Sequence, residues 1–192
     1  MNSIELLSVN TATATLLPTT QGLVQSGIRK RPNAGRVAVG PQGLAGDEQA
    51  DLTVHGGVAK AVYAYPAEHY PFWQTVRGQA KVAGELPFGA MGENLSLRGL
   101  LEGRVWAGDR LRFPDCELIV TAPRIPCFKF AAVMGFAQAV SLMAQSGYCG
   151  FYLAVHREGS LAPGDSVELI PGPRELRIDE HFRAVMRKKA AR

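Results

Sequence analysis

The chain is short of cysteine: three in 192 residues, with no two in a C-x-x-C pair. That excludes a disulfide scaffold and the usual four-thiolate cluster, so Cys116, Cys127 and Cys149 read as reduced thiols of a cytosolic protein. No run of 18 apolar residues occurs, so nothing here is expected to span a membrane. The first residues, Met1-Asn2-Ser3-Ile4-Glu5, lack the positive and then apolar regions of a secretion signal, and a cytoplasmic location is expected. Charge of one sign is also missing from most of the chain. The formal net charge is +4, yet residues 174–192 hold seven of the 21 Lys and Arg against three acids, leaving residues 1–173 neutral. With no groove-reading motif and no aromatics interleaved among the cations, a specific nucleic-acid partner is not expected, and the basic tail reads as a solvated helix face.

What is present is β-structure punctuated by 21 glycines and 12 prolines. Short runs rich in β-branched, aromatic or leucine residues predict strands over Ile4–Val9, Arg36–Val39, Lys60–Tyr65, Leu95–Leu97, Arg110–Phe113, Glu117–Thr121, Cys149–His156 and Ser166–Ile170. Helices are predicted over Tyr70–Val76, with Pro71 in the first turn, and over Phe128–Gln145, divided by Gly135. Ile178, Phe182, Val185 and Met186 form one apolar helical stripe, with Arg183, Arg187 and Lys188 on the other face. Ala107-Gly108-Asp109-Arg110-Leu111 and Pro163-Gly164-Asp165-Ser166-Val167 each read as a Gly-Asp turn feeding a strand. A 46% hydrophobic chain of this length builds one core. The expected architecture is mainly β, barrel-like, with a few short helices and a C-terminal helix: a domain over 1–172 and a basic helix or tail over 173–192.

Three segments carry chemistry. In Pro123-Arg124-Ile125-Pro126-Cys127-Phe128-Lys129, two prolines stiffen the backbone and two cations flank one thiol. A nearby cation favours the thiolate, the form that attacks or binds metal, whereas free cysteine is also among the most buried residue types, so a reactive or ligating thiolate and a structural core thiol both stand. Gly27-Ile28-Arg29-Lys30-Arg31-Pro32 is either a phosphate clamp or a solvated loop. In Gly46-Asp47-Glu48-Gln49-Ala50-Asp51 and His55-Gly56-Gly57, Asp51 and His55 are candidate metal ligands or hydrogen-bond partners, and the glycines leave backbone amides open for an anion.

These segments occur in order with Lys60-Ala61-Val62, Tyr65-Pro66, Glu68-His69-Tyr70, Trp73, Gly92-Glu93-Asn94-Leu95 and Gly147-Tyr148-Cys149-Gly150-Phe151-Tyr152. Together they resemble a MOSC domain, named for the C-terminal domain of molybdenum cofactor sulfurase, and above all its stand-alone bacterial YiiM-like branch, over roughly residues 5–172. The chain differs at Ala59, where such proteins often have Asp. About twenty residues follow Pro171, room for one helix where such proteins often carry three.

The resemblance implies a strand-rich barrel that binds molybdenum cofactor of the molybdopterin type. It implies Cys127 as catalytic residue and protein ligand to the metal, and a soft thiolate suits a sulfur-rich metal environment. Lys30, Arg29 and Arg124 would hold the phosphate and pterin. Asp51, His55 and Asn94 would hydrogen-bond the pterin or orient substrate, with Gly56, Lys60 and Lys129 completing the cofactor site. The implied activity is reduction of N-hydroxylated compounds, such as hydroxylaminopurines and amidoximes, to amines, with electrons from a flavoprotein or iron–sulfur partner. A cofactor carrier or sulfur-transfer protein, and a non-catalytic binding module, are the alternatives.

Overall fold

The computed structural model describes residues 3–50 and 56–191. In chain order, β1 (Ile4–Thr11) leads to a hairpin of β2 (Thr15–Thr19) and β3 (Gly22–Ser26). Next come β4 (Arg31–Pro32), β5 (Val37–Gly40), β6 (Gly43–Leu44) and β7 (Val62–Pro66), then helix α1 (Tyr70–Gln79). The strands β8 (Leu95–Arg98), β9 (Arg110–Arg112) and β10 (Glu117–Pro123) precede the helices α2 (Phe128–Met134) and α3 (Ala139–Ser146). The chain finishes with β11 (Phe151–Arg157), β12 (Gly159–Leu161), β13 (Ser166–Ile170) and helix α4 (Ile178–Ala190).

Seven strands close a barrel in the order β13, β9, β10, β11, β7, β8, β1, and β1 returns to β13 through Ile4–Val167 and Glu5–Ser166. Closure leaves these strands no free edge. Every pairing in the ring is antiparallel except β7 with β8. Strand β4 extends β1, and β5, β6 and β12 make a small separate sheet.

Side chains alternate across the barrel wall, as strand geometry requires. Val62, Ala64, Phe151 and Leu153 join one buried cluster with Leu95, Leu97, Leu111, Leu118 and Val120. Their neighbours Tyr63, Tyr65 and Tyr152 join a second cluster with Trp73 of α1, Phe130 and Met134 of α2, Met143 of α3 and Phe182 of α4. The helices therefore cover one outer face of the barrel. Helix α4 belongs to both clusters, since Ile178 packs in the first and Phe182 in the second, each fully buried. Its first turn carries Asp179 and Glu180 and its last Arg187, Lys188 and Lys189, the charge order that suits the helix dipole.

The predicted strands are all present, most with shifted ends, and two shifts bear on the site. Lys60 lies in a 3-10 turn (Val58–Lys60) ahead of β7. Cys149 and Gly150 precede β11, because Gly150 has φ 63° and a Cβ there would fall 2.4 Å from the carbonyl oxygen of Ala64. Gly135, at φ 80°, ends α2 and divides the long predicted helix in two. In the paired Gly-Asp turns, Asp109 accepts from Trp106 N at 3.1 Å and Asp165 from Ala162 N at 2.8 Å, the same three-residue reach. The β2–β3 hairpin and the short β4, β6 and β12 were not predicted. The hairpin leaves Leu16 and Leu23 exposed, and strands of two or three residues are too short to show a period.

Candidate active site

The site is built where β10 ends. Pro123 is the last paired residue, opposite Phe151, and the Arg124 amide donates to Gly150 O at 3.4 Å. Through buried Pro126 the chain reaches Cys127, in extended conformation (φ −137°, ψ 175°), and α2 begins at the next residue. Of the three thiols Cys127 is the partly exposed one, whereas Cys116 and Cys149 are buried. Burial pushes the Cys116 thiol up to about 11 and that of Cys149 well above its ordinary value, the condition of inert core thiols.

Cys127 lines a polar cavity with four cations, Lys30, Lys60, Arg124 and Lys129, and two acids, Asp47 and Glu48, among the described residues. Lys30 is already matched: its ammonium donates to Asp47 and both side chains are buried. Burial lowers the Lys30 pKa, and Asp47 opposes that shift. Asp47 also accepts from Ala12 N at 2.9 Å and from Asn94 Nδ2 at 2.8 Å. Asn94 uses its remaining side-chain groups on the backbone, accepting from Tyr63 N at 3.0 Å and donating to Asn10 O at 3.2 Å. Lys30, Asp47 and Asn94 thus brace the cavity wall, joining the loops to β1 and β7.

Arg124 is different. It is 4% exposed, and its guanidinium lies 5.0 Å from the ring centre of Phe130 and 5.5 Å from that of Tyr63. Its Nη1 contacts Met143 Sδ at 3.5 Å, and among the described residues no carboxylate pairs with it. An arginine stays charged at any physiological pH, and a buried charge without a counter-charge is costly. An anionic group bound in the cavity would balance it. Lys129 approaches from α2 and donates to Gln25 O at 3.1 Å, which ties the β2–β3 hairpin to the cavity rim. Lys60 stands with its ammonium 5.8 Å from the ring centre of Tyr152.

The remaining predicted residues divide. Arg29 and Arg31 are exposed and do not line this cavity, so the three consecutive cations do not act as one clamp. Gly56 is partly exposed beside Gly57, whose amide donates to Gln49 Oε1 at 2.7 Å, and it too lies off the cavity lining. Asp51 and His55 lie outside the described residues. Asp47, Gln49, Tyr63 and Tyr152 line the cavity without having been singled out as site residues. For Asp47 a signal existed, a Gly-Asp turn in the acidic segment. For the tyrosines there was none, because they read as ordinary strand residues.

A soft thiol, a buried guanidinium seeking an anion and two further cations fit an anionic, sulfur-ligated metal group. Fold and cavity together define a small closed-barrel protein with a thiol-and-cation pocket. The chain belongs to the MOSC domain family, whose model matches residues 51–168. It is 42% identical over 147 residues to the uncharacterized protein YflK of Bacillus subtilis, covering 77% of this chain and 64% of YflK. A protein of Gibberella moniliformis named "Reductase" is 31% identical over 153 residues, 79% of this chain and 27% of that one. The crystal structure of YiiM from Geobacillus stearothermophilus superposes with a TM-score of 0.78 at 31% identity, over 97% of this chain and 85% of that one. The chain thus spans less than two thirds of the length of YflK and about a quarter of the fungal protein. Among the described residues no helix is long and apolar enough to cross a membrane.

Proposed function

We propose that this protein binds a molybdenum cofactor of the molybdopterin type in the polar cavity and reduces N-hydroxylated compounds, such as hydroxylaminopurines and amidoximes, to amines. The observation that carries this reading is the buried Arg124, with no carboxylate partner among the described residues, in the same cavity as the partly exposed Cys127. Cys127 Sγ would bind the metal. Arg124, Lys60 and Lys129 would neutralise the anionic groups of the cofactor. Lys30, Asp47 and Asn94 would hold the wall in shape, since their polar groups are already engaged with one another. When bound, the cofactor supplies the two-electron redox chemistry that cleavage of an N–OH bond needs, and the protein contributes position and electrostatics. Electrons would come from a flavoprotein or iron–sulfur partner, because three cysteines cannot build a cluster of the usual kind in this chain.

The test is metal analysis of protein made in a host that synthesises molybdenum cofactor, followed by assay of benzamidoxime reduction with a chemical reductant. Wild type should carry molybdenum and release benzamidine, and Cys127→Ser should carry none. Equal molybdenum in the two would overturn the ligand assignment. Full molybdenum occupancy with no reduction of any N–OH compound would favour the cofactor-carrier role.

A further inference from the structure

Helix α4 carries charge of one sign at its far end. Its acids, Asp179 and Glu180, stand in the first turn, where Arg177 pairs with both and Arg183 with Asp179. Arg187, Lys188 and Lys189 fill the last turn. All three are exposed, and among the described residues they make no ion pair. At 1.5 Å per residue the two ends lie about 10 to 15 Å apart, beyond the Debye length of about 8 Å at physiological salt. The acids of the first turn therefore do not cancel the cations of the last. The negative end of the helix dipole, worth about half a charge, offsets only part of three.

This charge sits beside the site. Lys189 and Val185 of α4 line a cavity together with Ile125, Pro126 and Cys127. The apolar stripe of α4 is already packed on the barrel through Ile178, Phe182 and Met186, which leaves no such face to lay into a membrane surface. From Arg183 onward there is no aromatic residue on which a base could stack. What remains is charge complementarity with an acidic protein. The proposed reaction needs one: R–NHOH + 2e⁻ + 2H⁺ → R–NH₂ + H₂O consumes two electrons, and three cysteines give this chain no cluster of the usual kind to deliver them.

We propose that Arg187, Lys188 and Lys189 form the docking rim for the acidic face of a small electron-carrier protein, which delivers electrons on the Cys127 side of the barrel. The proposal rests on the reading of the Cys127 cavity as a molybdenum site. One helix end is a small patch. It suits the weak, transient encounters of electron-transfer pairs, which charge steers, rather than a stable complex. A one-electron carrier passes one electron per encounter, so two carrier molecules are oxidised for each amine formed.

The surface can be tested on the full chain with a plant-type ferredoxin, an acidic one-electron carrier, as the probe. Titrated into the cofactor-free protein, it should shift the backbone amide signals of residues 183–191 and of the Cys127 segment, with an affinity that falls as salt rises. Arg187→Glu/Lys188→Glu should weaken it at least about tenfold, since two attractive contacts become repulsive. Lys81→Glu/Arg98→Glu changes the net charge equally, at exposed residues that line neither cavity beside Cys127, and should bind as wild type does. A melting curve shows whether each variant folds. In the holo protein, the α4 variant should lose about tenfold in kcat/KM for ferredoxin-driven reduction of benzamidoxime and keep its rate with dithionite and methyl viologen. No ferredoxin binding, shifts mapped elsewhere, equal affinity of wild type and the α4 variant, or an equal loss in the control variant would each overturn the proposal. So would α4-dependent binding of phosphatidylserine vesicles or a single-stranded oligonucleotide more tightly than ferredoxin, which would give the surface to a membrane or a nucleic acid. If ferredoxin docks at α4 but the holo protein reduces no N–OH compound with either reductant, the reductase reading fails and the docking surface stands. If the holo protein reduces benzamidoxime with ferredoxin and the α4 variant does so equally well, the docking surface fails and the reductase reading stands.

Discussion

Lys30 donates to Asp47 inside the wall of the Cys127 cavity, and the two side chains are only 8% and 4% exposed. The pair is structural in consequence, whatever else it does. Lys30→Ala leaves the Asp47 carboxylate buried with, among the described residues, two neutral donors, Ala12 N and the Asn94 amide. Breaking a buried pair from one side costs roughly 3–5 kcal/mol, so the melting temperature of the apo protein should fall by many degrees. A lysine in a solvated loop would leave it unchanged, and scanning calorimetry of Lys30→Ala decides between the two.

The three thiols should separate by reactivity. With iodoacetamide at pH 8, native protein should be alkylated first at Cys127, the partly exposed thiol. Cys116 and Cys149 should react only as the chain opens, since they are fully buried and burial raises the pKa of both. Peptide mapping over a time course reads the order directly. Modification of Cys149 as fast as Cys127 would contradict the burial found here.

Arg124 and Lys30 should behave in opposite ways. Arg124→Met removes a buried charge that has no carboxylate partner among the described residues and leaves a chain of similar length against Phe130 and Tyr63. Replacing an unpaired buried charge with an apolar group should cost the apo fold little. The same change should weaken binding of an anionic cofactor about ten- to a hundredfold, the worth of a charge-assisted hydrogen bond of roughly 1.5–3 kcal/mol. Melting temperature and molybdenum content measured on one preparation test both halves.

Glu117 ties β10 to β9 and contributes to stability on the acid side. Its carboxylate accepts from Arg110 at 2.7 Å and Arg112 at 3.2 Å. Burial raises its pKa, but the two guanidiniums more than offset this, and the net shift is downward. A carboxylate with a depressed folded pKa stabilises the protein above its unfolded pKa and loses that contribution as pH falls through the folded value. Both arginines are more than a third exposed, so the effect is about 1 kcal/mol. Glu117→Gln should lower stability by that amount at pH 7 and converge with wild type below about pH 4, near the reference glutamate pKa. A constant difference from pH 7 down to pH 3 would show that the ion pairs contribute nothing.

Strand positions were legible because short runs rich in β-branched, aromatic and leucine residues are punctuated by Gly and Pro. Val62, Ala64 and Leu153 face one cluster and Tyr63, Tyr65 and Tyr152 the other, a period that the residues themselves display. Helix α4 was legible from its apolar stripe at a period of about 3.6, and Gly135 marked the break between α2 and α3. Cys127 was legible because prolines and cations surround it within seven residues, Pro123 to Lys129.

What each cation does was not legible. Arg29, Lys30 and Arg31 are adjacent and chemically alike, yet two are exposed and the middle side chain is buried against Asp47, seventeen positions away. Among the described residues Arg124 has no carboxylate partner, because closing the barrel placed aromatic rings and Met143 around it. His181 gave no sign of its place, because it lies in the basic terminal segment, and only the docking of α4 through Ile178 and Phe182 sets it beside the residues that follow β10. Local pattern determines which face of an element is apolar, since that depends on neighbours three or four residues away at most. The partner of a buried charge depends on which distant segments the closed barrel brings within about 3 Å, the reach of a hydrogen bond.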